Sequence, residues 1–233
     1  MKKMPPMKAA TTFIERHFPH SSIAILSGSI VRNDANESSD LDLIIVDFST
    51  ERAYRSTHFE LGWLIEVFVY PDYKIPFEQD TLSGIPFLTR MCKEGVFIKD
   101  DGKGIDIQQE AIRIFNAGPL PWSQGQIDRQ RYLISDQLDD LSTVQDEAEK
   151  LFIVHKLIDL VQEWILRVNK QWVGYGKWGI RSLREFDPEL ANEFIEAITT
   201  FHQTGDTANL TSFVEKLLKP YGGLLLEGYN EGI

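Results

Sequence analysis

The first half of the chain alternates short apolar runs with turn-forming residues. These runs are rich in β-branched and aromatic residues and end at glycine or proline, which is typical of β-strands. They predict strands at 22–26, 41–48 and 61–70, and a short strand with its turn at 96–104. Apolar residues at helical spacing predict helices at 7–18, 83–94 and 105–116.

The second half of the chain follows the helical period throughout. Its helices are expected at 124–141, at 143–170, from about Lys177, after Asp187-Pro188 and at 207–219. The stretch 118–126 separates the two patterns, and its prolines and glycines are typical of a boundary. We therefore expect an α/β (α+β) protein, with a short mixed sheet and flanking helices at 1–118 and a helical bundle at 119–233.

Charge and composition narrow the classes of partner. The formal net charge is −11, and no run of lysines and arginines marks a phosphate track, so nucleic-acid binding is disfavoured. An acidic surface suits a small cationic partner better. No apolar run approaches the roughly 20 residues that span a bilayer, and the N-terminus lacks the apolar stretch of a signal peptide. We therefore expect a cytoplasmic protein without a membrane partner. Cys92 is the only cysteine, which excludes an intrachain disulfide.

The segment 28–43 contains residues that are suited to phosphate and metal chemistry. Gly28 and Ser29 follow the first predicted strand, and their backbone N–H groups and small side chains allow phosphate oxygens to approach closely. Asp40 and Asp42 open the next strand, where residues two apart point to the same face. Two adjacent carboxylates are unfavourable without a cation between them, and hard oxygen ligands select Mg²⁺ or Mn²⁺.

A third acid lies in the next predicted strand. Glu66 is flanked by large apolar residues, and an isolated charge in such a run needs a partner. If this strand pairs beside the strand of Asp42, Glu66 completes a carboxylate triad. Glu60 or Asp72 takes that place if the strand register slips.

The spacing of these residues resembles the DNA polymerase β-type nucleotidyltransferase superfamily. The motif of a Gly-Ser pair followed by Asp-hydrophobic-Asp is extended here, as in the aminoglycoside nucleotidyltransferases. The residues in register are Gly28, Ser29, Arg32, Ala35, Ser39, Asp40 and Asp42. The chain departs from the pattern at Asn33, where the family usually has glycine. Asparagine tolerates a left-handed backbone better than most residues, so we expect the turn to survive.

The resemblance implies a nucleotidyltransferase fold and a mechanism. Asp40 and Asp42 would hold Mg²⁺ on an NTP, for which ATP is the expected donor. Gly28 and Ser29 would bind the triphosphate. Glu66 would ligate a second metal and accept the proton of the acceptor hydroxyl, and pyrophosphate would leave.

The remaining candidate residues keep two interpretations each. Arg32 either contacts phosphate or pairs with a nearby acid such as Asp34 or Glu37, and Ser39 either contacts phosphate or caps the strand entry. Lys177 and Arg181 share a face of a predicted helix. That helix is loosely similar to one in the acceptor-binding domains of the family, so Lys177 either contacts substrate or belongs to a solvated basic face.

The resemblance leaves three functions open. The first is transfer of a nucleoside monophosphate to a small-molecule hydroxyl, with aminoglycoside-like acceptors as the nearest analogy and 119–233 as the acceptor-binding domain. The second is transfer of AMP to a protein partner. The third is a catalytically silent NTP-binding regulatory module, against which the complete set of three acids argues.

Overall fold

The computed structural model describes residues 3–231, and the chain divides into two compact units, Met1–Gly118 and Pro119–Ile233. The first unit combines strands and helices. In chain order its elements are α1 (Pro6–His17), β1 (Ile23–Ser27), β2 (Leu41–Val46), β3 (Tyr54–Glu60), β4 (Trp63–Tyr70), α2 (Lys74–Ser83), α3 (Phe87–Glu94), β5 (Val96–Asp100) and α4 (Gly104–Ala117).

The five strands form one mixed sheet in the order β3-β4-β2-β1-β5. The central pair, β2 and β4, runs parallel, and the other neighbours run antiparallel. Mixed pairing follows from the connections, because the loop 28–40 turns the chain back from β1 to β2, whereas β4 reaches β2 only after the chain has reversed again in the hairpin of β3 and β4. The predicted fold class, a short mixed sheet with flanking helices followed by helices alone, is confirmed.

Both faces of the sheet are covered by helices. On one face, Phe13 of α1 packs in a buried cluster with Leu43 and Ile65. On the other face, Ile44 packs in a cluster with Phe77 of α2 and Leu88 of α3. Because side chains alternate along a strand, Asp42 lies on the same face as Ile44.

Two elements of this unit, α2 and β3, were missing from the sequence prediction. The helix expected at 83–94 corresponds to α3, which begins later, at Phe87. The helix α2 before it was not predicted, and it ends at Gly84, whose φ of +79° is left-handed. The strand β3 was not predicted at all. Its residues are exposed or half-buried in alternation, so it lacks the apolar run that marks a buried strand.

The second unit contains only helices among the residues that the structure describes. They are α5 (Gln124–Thr143), α6 (Glu147–Val168), α7 (Lys177–Phe186), α8 (Pro188–Thr204), α9 (Ala208–Leu218) and a short 3₁₀ turn at Lys219–Tyr221. Asp187 caps α8 as its type predicts, since its side chain accepts hydrogen bonds from the N–H groups of Glu189 and Leu190. Trp164 of α6 is fully buried and packs edge-on against Tyr221.

Between residues 3 and 231, no helix combines the length and the apolar character that crossing a bilayer requires.

Candidate metal centre

A row of four residues crosses the sheet at the point where β1 ends and β2 begins. Ser27 of β1 lies opposite Asp42 of β2, Asp42 lies opposite Glu66 of β4, and Glu66 lies opposite Thr57 of β3. Directly opposed residues point to the same face of a sheet. The strand register therefore brings Glu66 beside Asp42, although the two acids come from different sequence runs.

The three acids of the predicted triad lie together. Asp40 precedes β2 by one residue, and each of Asp40, Asp42 and Glu66 offers a carboxylate oxygen within 4.8 Å of those of the other two. All three side chains are half-buried. This is the spacing at which several carboxylates can share one cation.

Glu60 and Asp72, the alternative third acids, have other partners. Glu60 lies on the opposite face of β3, where its carboxylate contacts Arg16 and His17 of α1, each at 2.7 Å. Asp72 accepts a hydrogen bond of 3.0 Å from the N–H group of Lys74 at the start of α2.

The turn after β1 is shaped around the carboxylate of Asp42. Gly28 has a φ of +79°, and a Cβ atom there would overlap the Oδ2 atom of Asp42. Asn33 has a φ of 59°, so the left-handed conformation expected at the position where the family has glycine is present. The backbone of Gly28 accepts a hydrogen bond of 3.3 Å from Arg32, and that of Ser29 accepts one of 3.1 Å from Asp34. Ser29 is half-buried at the start of this turn.

Burial and the arrangement of the three acids disfavour the ionised form of Asp42 and raise its pKa. Burial, then the neighbouring charges of Asp40 and Glu66, raise its pKa from 3.8 to about 6, although Arg32 and Arg55 oppose the rise. Like charges and loss of hydration both disfavour the ionised form. A divalent cation would remove both penalties, and its binding would release a proton below about pH 6.

Arg55 was missed by the sequence reasoning because it lies on the strand that was not predicted. Its Nη2 atom donates to the Oε1 atom of Glu66 at 2.7 Å, and its guanidinium lies 5.0 Å from the centre of the Phe68 ring. Glu66 therefore has a cationic partner from the neighbouring strand. The sequence signal that indicates the position of Arg55 is the alternating pattern of β3, which lies next to the strand that carries Glu66.

Arg32 and Ser39 both have partners within the protein. Arg32 pairs with Asp34 at 3.7 Å, as one of its two interpretations expected, and with Glu94 of α3 at 3.2 Å. The hydroxyl of Ser39 accepts a hydrogen bond of 2.8 Å from the N–H group of Asn36, which closes the turn before β2.

Lys177 and Arg181 belong to the second unit. Lys177 is the first residue of α7 and is exposed. The guanidinium of Arg181 lies 5.1 Å from the centre of the Trp178 ring on the same helix.

The site fits a hard divalent cation on three observations. Its donors are carboxylate oxygens, which hard cations prefer. The turn at Gly28 leaves no side chain between the backbone and Asp42. The hydroxyl of Ser27 is buried beside Asp42 without a hydrogen-bond partner among residues 3–231. Leaving a buried hydroxyl unpaired costs about 1–3 kcal/mol, so a ligand or its hydration shell would be favourable there.

Comparison with known proteins supports the fold. The chain is similar to the crystal structure of a nucleotidyltransferase-like protein from Exiguobacterium sibiricum, with a TM-score of 0.50 and 11% sequence identity over 93% of this chain and 75% of that one. No protein-family model matches the chain. No curated protein matches its sequence significantly. The likeness shows a nucleotidyltransferase-like fold.

Proposed function

We propose that this protein transfers a nucleoside monophosphate from an NTP to a hydroxyl group of a small-molecule acceptor and releases pyrophosphate. The observation that carries the proposal is the group of Asp40, Asp42 and Glu66, whose carboxylate oxygens lie within 4.8 Å of one another. These acids lie beside a glycine turn, on a fold like that of a nucleotidyltransferase-like protein. The proposed catalytic domain is 1–118.

Asp40 and Asp42 would hold Mg²⁺, or Mn²⁺ in its place, together with the phosphates of the NTP. The bound cation supplies charge neutralisation for the phosphate oxygens and for the pyrophosphate that leaves. The backbone of Gly28 and the hydroxyl of Ser29 would bind the triphosphate, because both are small groups at the turn beside Asp42. We assign Arg32 and Ser39 to the support of this turn, in keeping with their contacts to Glu94 and Asn36.

Glu66 would act as the general base. Its carboxylate takes the proton from the acceptor hydroxyl as the hydroxyl oxygen forms a bond to the α-phosphorus. The bond from the α-phosphorus to the oxygen that bridges to the β-phosphate breaks, and pyrophosphate departs with that electron pair. The products are the nucleotidylated acceptor and pyrophosphate.

The acceptor is proposed from charge and by analogy. A net charge of −11 favours a cationic small molecule, which agrees with an aminoglycoside-like acceptor. The helical region 119–233 would bind the acceptor, and Lys177 at the start of α7 is its candidate contact. We propose ATP as the donor and a cytoplasmic site of action.

The test is a transfer assay with purified protein and Mg²⁺. Each of the four NTPs, labelled at the α-phosphate, is incubated with aminoglycosides, lincosamides and a protein extract. The products are then separated and identified by mass spectrometry. Label on a cationic small molecule, absent with the Asp42→Asn variant, supports the proposal. Label only on protein refutes the small-molecule acceptor in favour of AMP transfer to a protein. NTP binding without any transfer would indicate a silent binding module.

A further inference from the structure

Arg55 occupies a position that the motif does not explain. It lies on β3, one of the two edge strands of the sheet, and its Nη2 atom contacts the Oε1 atom of Glu66 at 2.7 Å. The ring of Phe68, which lies directly opposite Arg55 on β4, supports the guanidinium from beneath at 5.0 Å. Two contacts thus fix a side chain that is otherwise 58% exposed.

The ion pair changes the charge that the triad offers to a metal. Three ionised carboxylates carry three negative charges, and the guanidinium cancels one of them. The remaining charge is matched by a single divalent cation. Glu66 is also engaged through one of its oxygens, which leaves it less able to surround a metal than Asp40 and Asp42.

We propose that Arg55 is a positioning residue that takes the place of a second cation: it orients the carboxylate of Glu66 through the 2.7 Å ion pair, so that the free protein binds one divalent cation, at Asp40 and Asp42. This inference rests on the function proposed above, in which Glu66 accepts the proton of the acceptor. A base that is not a metal ligand keeps an oxygen available for that proton.

The test measures binding of Mn²⁺ alone to the free protein by calorimetry. We expect one Mn²⁺ per wild-type chain. The Arg55→Ala variant should bind Mn²⁺ about three- to tenfold more tightly, because a cation that repels the metal across a solvent-screened distance has been removed. The Arg55→Lys variant should keep the wild-type affinity because it keeps the charge. The Arg52→Ala variant removes an exposed arginine three positions earlier and should change nothing.

A double-mutant cycle separates this role from a merely structural one. In the wild-type background, Glu66→Gln should weaken Mn²⁺ binding by less than about fivefold, since Glu66 is engaged by Arg55. In the Arg55→Ala background the same change should weaken binding by more than about tenfold, because the freed carboxylate then reaches the metal. The melting temperatures of all variants check that each one folds.

The outcomes distinguish the two proposals. Two Mn²⁺ ions per wild-type chain, unchanged or weaker binding by Arg55→Ala, or equal effects of Glu66→Gln in both backgrounds would overturn the role of Arg55. The metal centre would stand in that case, provided that Asp42→Asn abolishes binding. Failure of the wild type to bind Mn²⁺ would overturn the metal centre of the proposed function, and the role of Arg55 with it.

Discussion

The Asp42→Asn variant should be more stable than the wild type in the absence of metal. Asparagine has the shape of aspartate but no charge, so it removes the burial penalty and the repulsion from Asp40 and Glu66 that raise the pKa of Asp42. The same change removes a metal ligand. Stability and metal binding should therefore move in opposite directions.

The size of the effect follows from the pKa of Asp42. A carboxyl group with a pKa of 3.8 in an unfolded chain and about 6 in the folded protein holds its proton more tightly when folded. Stability therefore falls as the pH rises through this window and levels off above about pH 6. At about 1.4 kcal/mol per pH unit, ionised Asp42 lowers the free energy of unfolding by about 3 kcal/mol. The advantage of Asp42→Asn should reach that order at neutral pH and vanish near pH 3.8.

The measurement is urea unfolding in EDTA across this pH range. Pulsed hydrogen exchange, measured on peptides from β1 to β4, follows the unfolding of the first unit separately from that of the second. The Glu78→Gln variant, which removes an exposed carboxylate from α2, is the matched control and should track the wild type. Equal midpoints for Asp42→Asn and the wild type at neutral pH would contradict the electrostatic reasoning.

Adding Mg²⁺ should reverse the order of stability. A cation that binds only the folded wild type at about 1,000 times its dissociation constant stabilises it by about 4.1 kcal/mol, which exceeds the cost of ionised Asp42. The Asp42→Asn variant lacks a ligand and should gain much less. If Mg²⁺ stabilised both proteins equally, Asp42 would not be a ligand.

Three further changes test other parts of the centre. Gly28→Ala should abolish Mn²⁺ binding and lower the free energy of unfolding by about 1–3 kcal/mol, because its Cβ atom would overlap Asp42. The control Gly102→Ala, at a φ of +101° with open space around it, should lower it only by the backbone strain, about 1 kcal/mol. Equal urea midpoints and intact metal binding in both variants would contradict the steric argument. Asn33→Gly should leave unfolding unchanged and Asn33→Val should cost about 1–2 kcal/mol, and a harmless valine would show that the φ of 59° is not required. Glu66→Gln should lower kcat for nucleotidyl transfer by about a hundredfold or more with little change in the KM for NTP, and a kcat near wild type would exclude it as the base.

The grouping of Asp40 and Asp42 was predictable from the sequence because both residues lie in one continuous motif. The spacing from Gly28 to Asp42 and the parity of Asp40 and Asp42 along a strand fix their common face without further information. The prediction that Glu66 lies beside Asp42 required only that its strand pair with β2, which the hydrophobic pattern makes favourable. The opposed positions of Asp42 and Glu66 follow from that register.

The parts that escaped prediction depend on exposed or polar segments. The strand β3 has no buried side chain, so its strand character comes from pairing with β4 rather than from its own apolar pattern. Arg55 could not be placed beside Glu66 without that pairing. The helix α2 escaped prediction because its sequence has no clear apolar stripe, and its buried residues are only Phe77 and Asp80.

The pairing of the strands has a consequence for the order in which the centre is assembled. Ser27 and Asp42 meet through an antiparallel pair joined by the loop 28–40, whereas Glu66 reaches Asp42 only through the parallel pairing of β2 with β4. Closing the loop between β1 and β2 costs less chain entropy than the longer-range pairing of β2 with β4, so the β1–β2 pair should form before the β2–β4 pair during folding. A nascent chain would then hold two of the three carboxylates before the third arrives. The affinity of the chain for a divalent cation would therefore increase in two steps, one for each strand pairing. Metal binding during folding would then indicate which strands have already paired.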